Sequence, residues 1–202
     1  MPTLVVTVVF RALWGMAAAA ITTLVMMPAE GGDPEPQGPR FWHRPRIAVG
    51  ADLGAGHYWN GRAARDWGFG MAWQLRAGVQ WSAIVATEIR YFRVETRRDG
   101  FGLLTTGVSM DARLSVPLRV RPFLAAGLGG YTTLLYDGGG LIVAPPAALQ
   151  VPVSIGVDVP VWRWMNVQLE FAHRMLAEGG IADAYPATLQ LWSTSAGVRS
   201  YF

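Results

Sequence analysis

Glu88 and Glu170 are the carboxylates in this sequence that could divide acid–base chemistry, since a matched pair can serve as proton donor and proton acceptor. Both lie in alternating stretches that also carry arginines, Arg90 beside Glu88 and Arg174 beside Glu170. Ion pairing therefore explains them more simply than catalysis. His173 is the one histidine placed for general-base work. A base needs a nucleophile within reach, and the residue two positions on, which shares its face of an extended chain, is Met175. His43 and His57 are isolated and lack metal-ligand spacing. With Cys 0, thiol catalysis, disulfides and thiolate metal sites are excluded together. The DGGG at 137–140 and EGG at 178–180 are Gly-rich, but no strand-to-helix phosphate motif surrounds them. Asp66, Asp99, Asp137 and Asp183 fall one on each longer connection, where solvated charge is the simpler reading than a divalent-ion site. No catalytic, cofactor-binding or metal residue is assigned, and no cofactor is expected.

The elements that carry these residues are suggested first by composition. The 202 residues, 22.0 kDa in all, accommodate one domain and a leader. Hydrophobic residues make up 51%, yet charged residues are only 15%, against roughly 25% in soluble domains. After residue 30 no apolar run is long enough for a membrane helix, so the apolar residues must be distributed by alternation. All 17 basic residues are Arg, and the net charge of +3 comes without a basic cluster or nucleic-acid motif. Nucleic acid is not an expected partner.

Residues 1–29 read as an export signal, with Arg11 ahead of the apolar ALWGMAAAAITTLVMM and a cut expected after Ala29. An alternative cut after Ala20 uses the Ala18-x-Ala20 pattern, and a retained helical anchor is the competing reading. Residues 30–45 (EGGDPEPQGPRFWHRP) form a Pro- and Gly-rich linker that cannot sustain a strand ladder.

From Ile47 a period of two recurs eight times, over 47–58, 68–80, 81–96, 102–116, 119–135, 148–159, 163–175 and 192–202. One face is almost uncharged: Ile47, Val49 and Leu53 in the first segment, Val167, Leu169 and Phe171 in the seventh. The other holds Asp52, Glu88, Asp111, Asp158 and Glu170 with Arg76, Arg90, Arg113, Arg121, Arg174 and Arg199. Short connections near 80–81, 116–118 and 159–162 alternate with longer ones at 59–67, 96–101, 136–147 and 176–186. Trp81, Trp162, Trp164 and Phe202 group at the short-connection end; Trp59, Trp67, Tyr91, Tyr136 and Trp192 group at the other. The fold class predicted is all-β, an eight-stranded antiparallel up-and-down transmembrane β-barrel over 46–202. Its charged face points inward, because lipid requires every backbone amide to be paired within the protein. A soluble lipocalin-like barrel would invert the faces and fill the centre with Leu and Val.

The last segment, Trp192–Phe202 (WSTSAGVRSYF), alternates with Trp192 and Phe202 at its ends, spanning roughly 23 Å of barrel height. Leu189 and Leu191 break the alternation upstream, which suggests a bulge or the start of a loop. A terminal Phe with Gly197 five residues before it resembles the outer-membrane β-barrel insertion signal; Ser200 departs from it, where that signal prefers a bulky residue. Residues 46–202 resemble the small eight-stranded outer-membrane barrels, the group that includes the outer-membrane protein A barrel. The most specific piece is VPLRVRPFLAAGLGGY at 116–131. No peptidoglycan-binding carboxy-terminal domain accompanies it, so that role is not carried over.

The resemblance implies the outer membrane of a Gram-negative bacterium, with outer-membrane lipid, lipopolysaccharide and the barrel assembly machinery, through the strand ending at Phe202, as partners of a monomer. It also brings a rival. Lipid A deacylases of similar architecture keep a lipid-facing His with a Ser two residues on, and here that position is Met175. The expectation is a small non-enzymatic barrel with a side-chain-filled lumen, acting structurally or through four extracellular loops. The alternative is a lipid A-modifying hydrolase or acyltransferase.

Overall fold

The structure is a computed structural model in which the described residues are 45–59, 68–137, 140–143, 147–176 and 189–202. The expected leader at 1–29 and nearly all of the linker lie outside these residues. His43, Asp66, Trp67, Asp183 and the EGG segment lie outside them too. The strands are β1 (Arg46–Tyr58), β2 (Phe69–Gln80), β3 (Val85–Arg98), β4 (Phe101–Ser115), β5 (Arg121–Asp137), β6 (Gly140–Val143), β7 (Ala148–Trp162), β8 (Met165–Leu176) and β9 (Leu189–Tyr201).

They form one antiparallel sheet in the order β4-β3-β2-β1-β9-β8-β7-β5-β6, closed on itself by pairing of β4 with β5. β6 pairs only with β5, so eight strands go round the barrel. First and last strands zip together from Ala48↔Tyr201 to Tyr58↔Leu191. Among the described residues the eight wall strands are each paired on both sides, so the ladder satisfies its own backbone amides, as a lipid-facing wall requires.

Alternation sorts the side chains as the sequence predicts. Ile47, Leu53, Leu75, Ile89, Met110, Leu128, Leu149 and Ile155 are exposed on the outside, while Asp52, Arg76, Glu88, Arg113, Gln168 and Glu170 are buried inside. Two glycines permit the close approaches that this interior needs. A Cβ at Gly127 would collide with the Asp111 carboxylate, and one at Gly197 with that of Asp52.

Several boundaries differ from the sequence reading. The expected bulge before Trp192 is absent: β9 pairs with β8 without a break from Leu189↔Leu176 to Ser200↔Met165, and Leu191 is fully buried. The alternation holds there, and what changes is the lumen itself, which turns apolar at that end. The connection at 96–101 is a two-residue turn, Asp99–Gly100, with φ of 50° and 86°. An Asp-Gly pair suits that left-handed geometry, so β3 and β4 continue to a tight hairpin instead of a loop. The connection at 136–147 contains β6, and the Asp137 carboxylate accepts the Gly140 N–H at 3.0 Å.

At the opposite end, residues 81–84 form a turn and β3 begins only at Val85, with Ser82 Oγ accepting the N–H groups of Ile84 and Val85 at 3.2 and 3.0 Å. β7 extends to Trp162, leaving Arg163 and Trp164 to turn. Arg121, expected inside, is exposed where β5 starts at this rim, beyond the enclosed part of the lumen.

Candidate functional site

The lumen gathers most of the residues with chemical potential. Its buried charged side chains, among the described residues, are the acids Asp52, Glu88, Asp111, Asp158 and Glu170 and the arginines Arg76, Arg90, Arg113, Arg174 and Arg199. With Arg121 outside, the two signs balance. A charge carried into a low-dielectric interior is tolerated only when paired, which explains the match.

Glu170 on β8 is the centre of one cluster. Arg90 Nη1 and Arg76 Nη2 donate to its two oxygens at 2.6 and 3.0 Å, and Gln168 Nε2 donates at 2.6 Å. Glu88 on β3 is the centre of the other. Arg199 Nη1 and Arg90 Nη2 lie 2.6 and 3.0 Å from it, with Arg113 at 3.6 Å and Arg76 at 3.9 Å. Asp52 pairs with Arg76, Asp111 with Arg90 at 3.0 Å, and Asp158 with Arg113. Arginine has five donors in a planar fork, so one side chain can bridge carboxylates on different strands. The two glutamates that the sequence offered as an acid–base pair are thus linked through Arg90 and Arg76, each held in ion pairs with guanidinium groups.

Above this network, toward the long-connection end, the lumen is apolar. Tyr58, Ala72, Phe92, Val94, Leu103, Tyr131, Leu176 and Leu191 are buried against one another. The Tyr58 hydroxyl bonds to Thr105, which bonds to Thr133 at 3.1 Å, so the phenol enters the cluster with its polar end satisfied. Arg174 joins the two layers. It donates to Ser193 at 2.7 Å and Gln74 at 3.2 Å, and its guanidinium lies 4.3 Å from the Phe92 ring centroid. At the short-turn end Arg113 stacks 3.6 Å from the centroid of Phe123. The sequence reading did not assign the apolar layer. The available signal was that Tyr58, Phe92, Val94, Leu176 and Leu191 keep lumen parity near the strand ends that carry the long connections.

His173 points outward near that same end, as expected. It stacks on Trp192 with ring centroids 4.1 Å apart, and Phe171 contacts the same indole at 4.8 Å. Among the described residues His173 Nε2 has no hydrogen-bond partner, and Met175 is exposed on the same face. His57 pairs with Trp192 across β1 and β9, stacks on Phe69 at 4.6 Å, and hydrogen-bonds the Gly68 carbonyl through Nδ1 at 2.9 Å. The structure therefore brings His57 and His173 to either side of Trp192 in an aromatic belt. Asp99 and Asp137, expected on separate loops, sit in a tight turn and at the end of β5; Arg98 donates to Asp99 at 3.2 Å.

No family model matches the chain, and no curated protein matches it. Solved structures do. Neisserial surface protein A superposes with a TM-score of 0.68 at 16% identity, covering 79% of this chain and 100% of that one. The N-terminal β-barrel domain of OprF from Pseudomonas aeruginosa superposes with a TM-score of 0.51 at 13% identity, with coverage of 79% and 100%. At such identities the likeness is one of fold, and the fold is that of the small eight-stranded outer-membrane β-barrels.

Proposed function

We propose that the protein is a small, non-enzymatic outer-membrane barrel with a closed lumen, whose task is structural or lies in its extracellular connections. The observation that carries this reading is the Glu88–Arg90–Glu170–Arg76 network beneath an apolar layer. Two different kinds of filling occupy the interior in series, and an eight-stranded barrel is only wide enough for its side chains.

The exposed outer wall, apolar and rimmed by aromatics, matches a bilayer-spanning surface. One of the expected loops is a tight turn and another contains the short strand β6 paired with β5, so surface recognition in this reading uses strand-based edges as well as loops. The hydrolase alternative has less to support it. His173 makes a ring stack with Trp192, and the residue two positions on is Met175.

The test is lipid A recovered from vesicles in which the folded chain has been incubated with it, analysed by mass spectrometry. Unchanged acyl composition is the expected result. Loss of an acyl chain that disappears in His173→Ala would restore the enzyme reading.

A further inference from the structure

Among the described residues, the exposed charges of the short-turn rim have one sign. Arg46 opens β1, Arg119 and Arg121 flank the start of β5, and Arg163 occupies the β7–β8 turn; all four are exposed. Among the described residues no exposed acid stands at this end, because the acid nearest it, Asp158, is buried and paired with Arg113. The opposite end is mixed: Glu95, Asp99 and Asp137 accompany Arg93, Arg97 and Arg98 there.

Around the barrel the four arginines fall in three sectors, Arg119 and Arg121 sharing the β4–β5 turn. β1 lies on the far side from the β4–β5 turn, and the β7–β8 turn lies between them. They form a ring, not a pocket. Exposed aromatic and aliphatic side chains occur at the same level: Trp162 and Trp164 stack at 5.7 Å on either side of Arg163, Trp81 is exposed at the β2–β3 turn, and Val116 and Leu118 are exposed beside Arg119. Such residues mark the depth at which hydrocarbon gives way to headgroups.

We infer that this ring binds the phosphates of anionic phospholipids in the membrane leaflet that meets the short turns. Guanidinium groups suit the task because their planar forks take phosphate oxygens in pairs, and the sequence uses Arg at every basic position. Basic groups at headgroup level attract anionic lipid over a Debye length, so a ring of four recruits several headgroups to the annulus. The inference rests on the membrane-spanning reading above and adds to it a lipid class and a leaflet.

The experiment compares spin-labelled phosphatidylglycerol with spin-labelled phosphatidylcholine around the full chain folded in phosphatidylcholine vesicles. The motionally restricted fraction of each lipid reports its association. A several-fold preference for phosphatidylglycerol at low salt is expected, weakening as salt is raised. The preference should vanish in the combined variant Arg46→Gln, Arg119→Gln, Arg121→Gln, Arg163→Gln, whose unboiled form should still migrate as a folded barrel. Equal association of the two lipids, or a preference that the variant retains, would overturn the inference while leaving the barrel reading intact. Binding of a soluble acidic peptide without any lipid preference would assign the rim to a protein partner instead. Failure of the unmodified chain to show heat-modifiable migration would overturn both readings.

Discussion

Arg90 Nη1 donates to Glu170 Oε1 at 2.6 Å although their strands, β3 and β8, stand four apart in a closed barrel of eight. The bond therefore crosses the full width of the lumen. Removing one partner of a buried pair strands the other in a poorly solvated site, which costs about 3–5 kcal/mol. Glu170→Gln should lower barrel stability by about that amount, read from urea unfolding in lipid vesicles. A variant as stable as the unmodified chain would show that the pair contributes nothing.

The apolar layer should contribute separately. Leu191 is fully buried against Tyr58, Phe92 and Leu176. Leu191→Ala leaves a void and should cost about 2–5 kcal/mol in the same unfolding assay. Bilayers containing the variant should stay electrically quiet, because the ion-pair layer below is untouched.

Depth along the wall gives a third expectation. Leu128 is 68% exposed on the outside of β5 and pairs with Met110, far from either rim, whereas Val116 is 50% exposed at a short turn. Arginine on the lipid face costs about 2–4 kcal/mol at the midplane and about 0–1 near the interface. Leu128→Arg should sharply reduce folding yield into vesicles and Val116→Arg should not. Equal yields would show that this face does not meet hydrocarbon.

Acid should loosen the β3–β5 contact above the belt. Glu95 accepts from Tyr136 Oη at 2.7 Å and from Arg97 and Arg93 at 2.7 and 3.1 Å. These bonds, that from Tyr136 foremost, hold its carboxyl below the ordinary range. A carboxylate with a lowered folded value stabilises the structure fully above its unfolded value and loses that effect as pH falls through the folded one. Amide protection near Leu103 and Tyr136, taken as exchange relative to the intrinsic rate at each pH, should fall on acidification in the unmodified chain. In Glu95→Gln that protection should already be low at neutral pH and should not change across the carboxylate range.

The wall was readable in the sequence because one period governs it. Hydropathy alternates wherever lipid lies outside and ion pairs lie inside, as at Ile89 against Glu88 and Arg90. Near the long connections that contrast disappears. Leu191 and Leu176 face inward but are as apolar as lipid-facing residues, so the strand ends read as irregular when they are regular. Arg121 misled in the opposite sense: it has lumen parity but lies too close to the rim to be enclosed. The Asp99–Gly100 turn had a local signature that loop length obscured. The partner choices of Arg90 and Arg76 were not legible, since they depend on which strands oppose each other across the closed barrel.

The claim that the lumen is closed is tested most directly by single-channel recording of the purified monomeric barrel in a planar bilayer. The unmodified chain should give no stable, large conductance steps, since Arg90, Arg76, Arg113 and Arg199 cross-link the interior through Glu88 and Glu170. The double variant Glu88→Gln, Glu170→Gln should leak, because the facing arginines lose their partners. Large, persistent steps from the unmodified monomer would contradict the account.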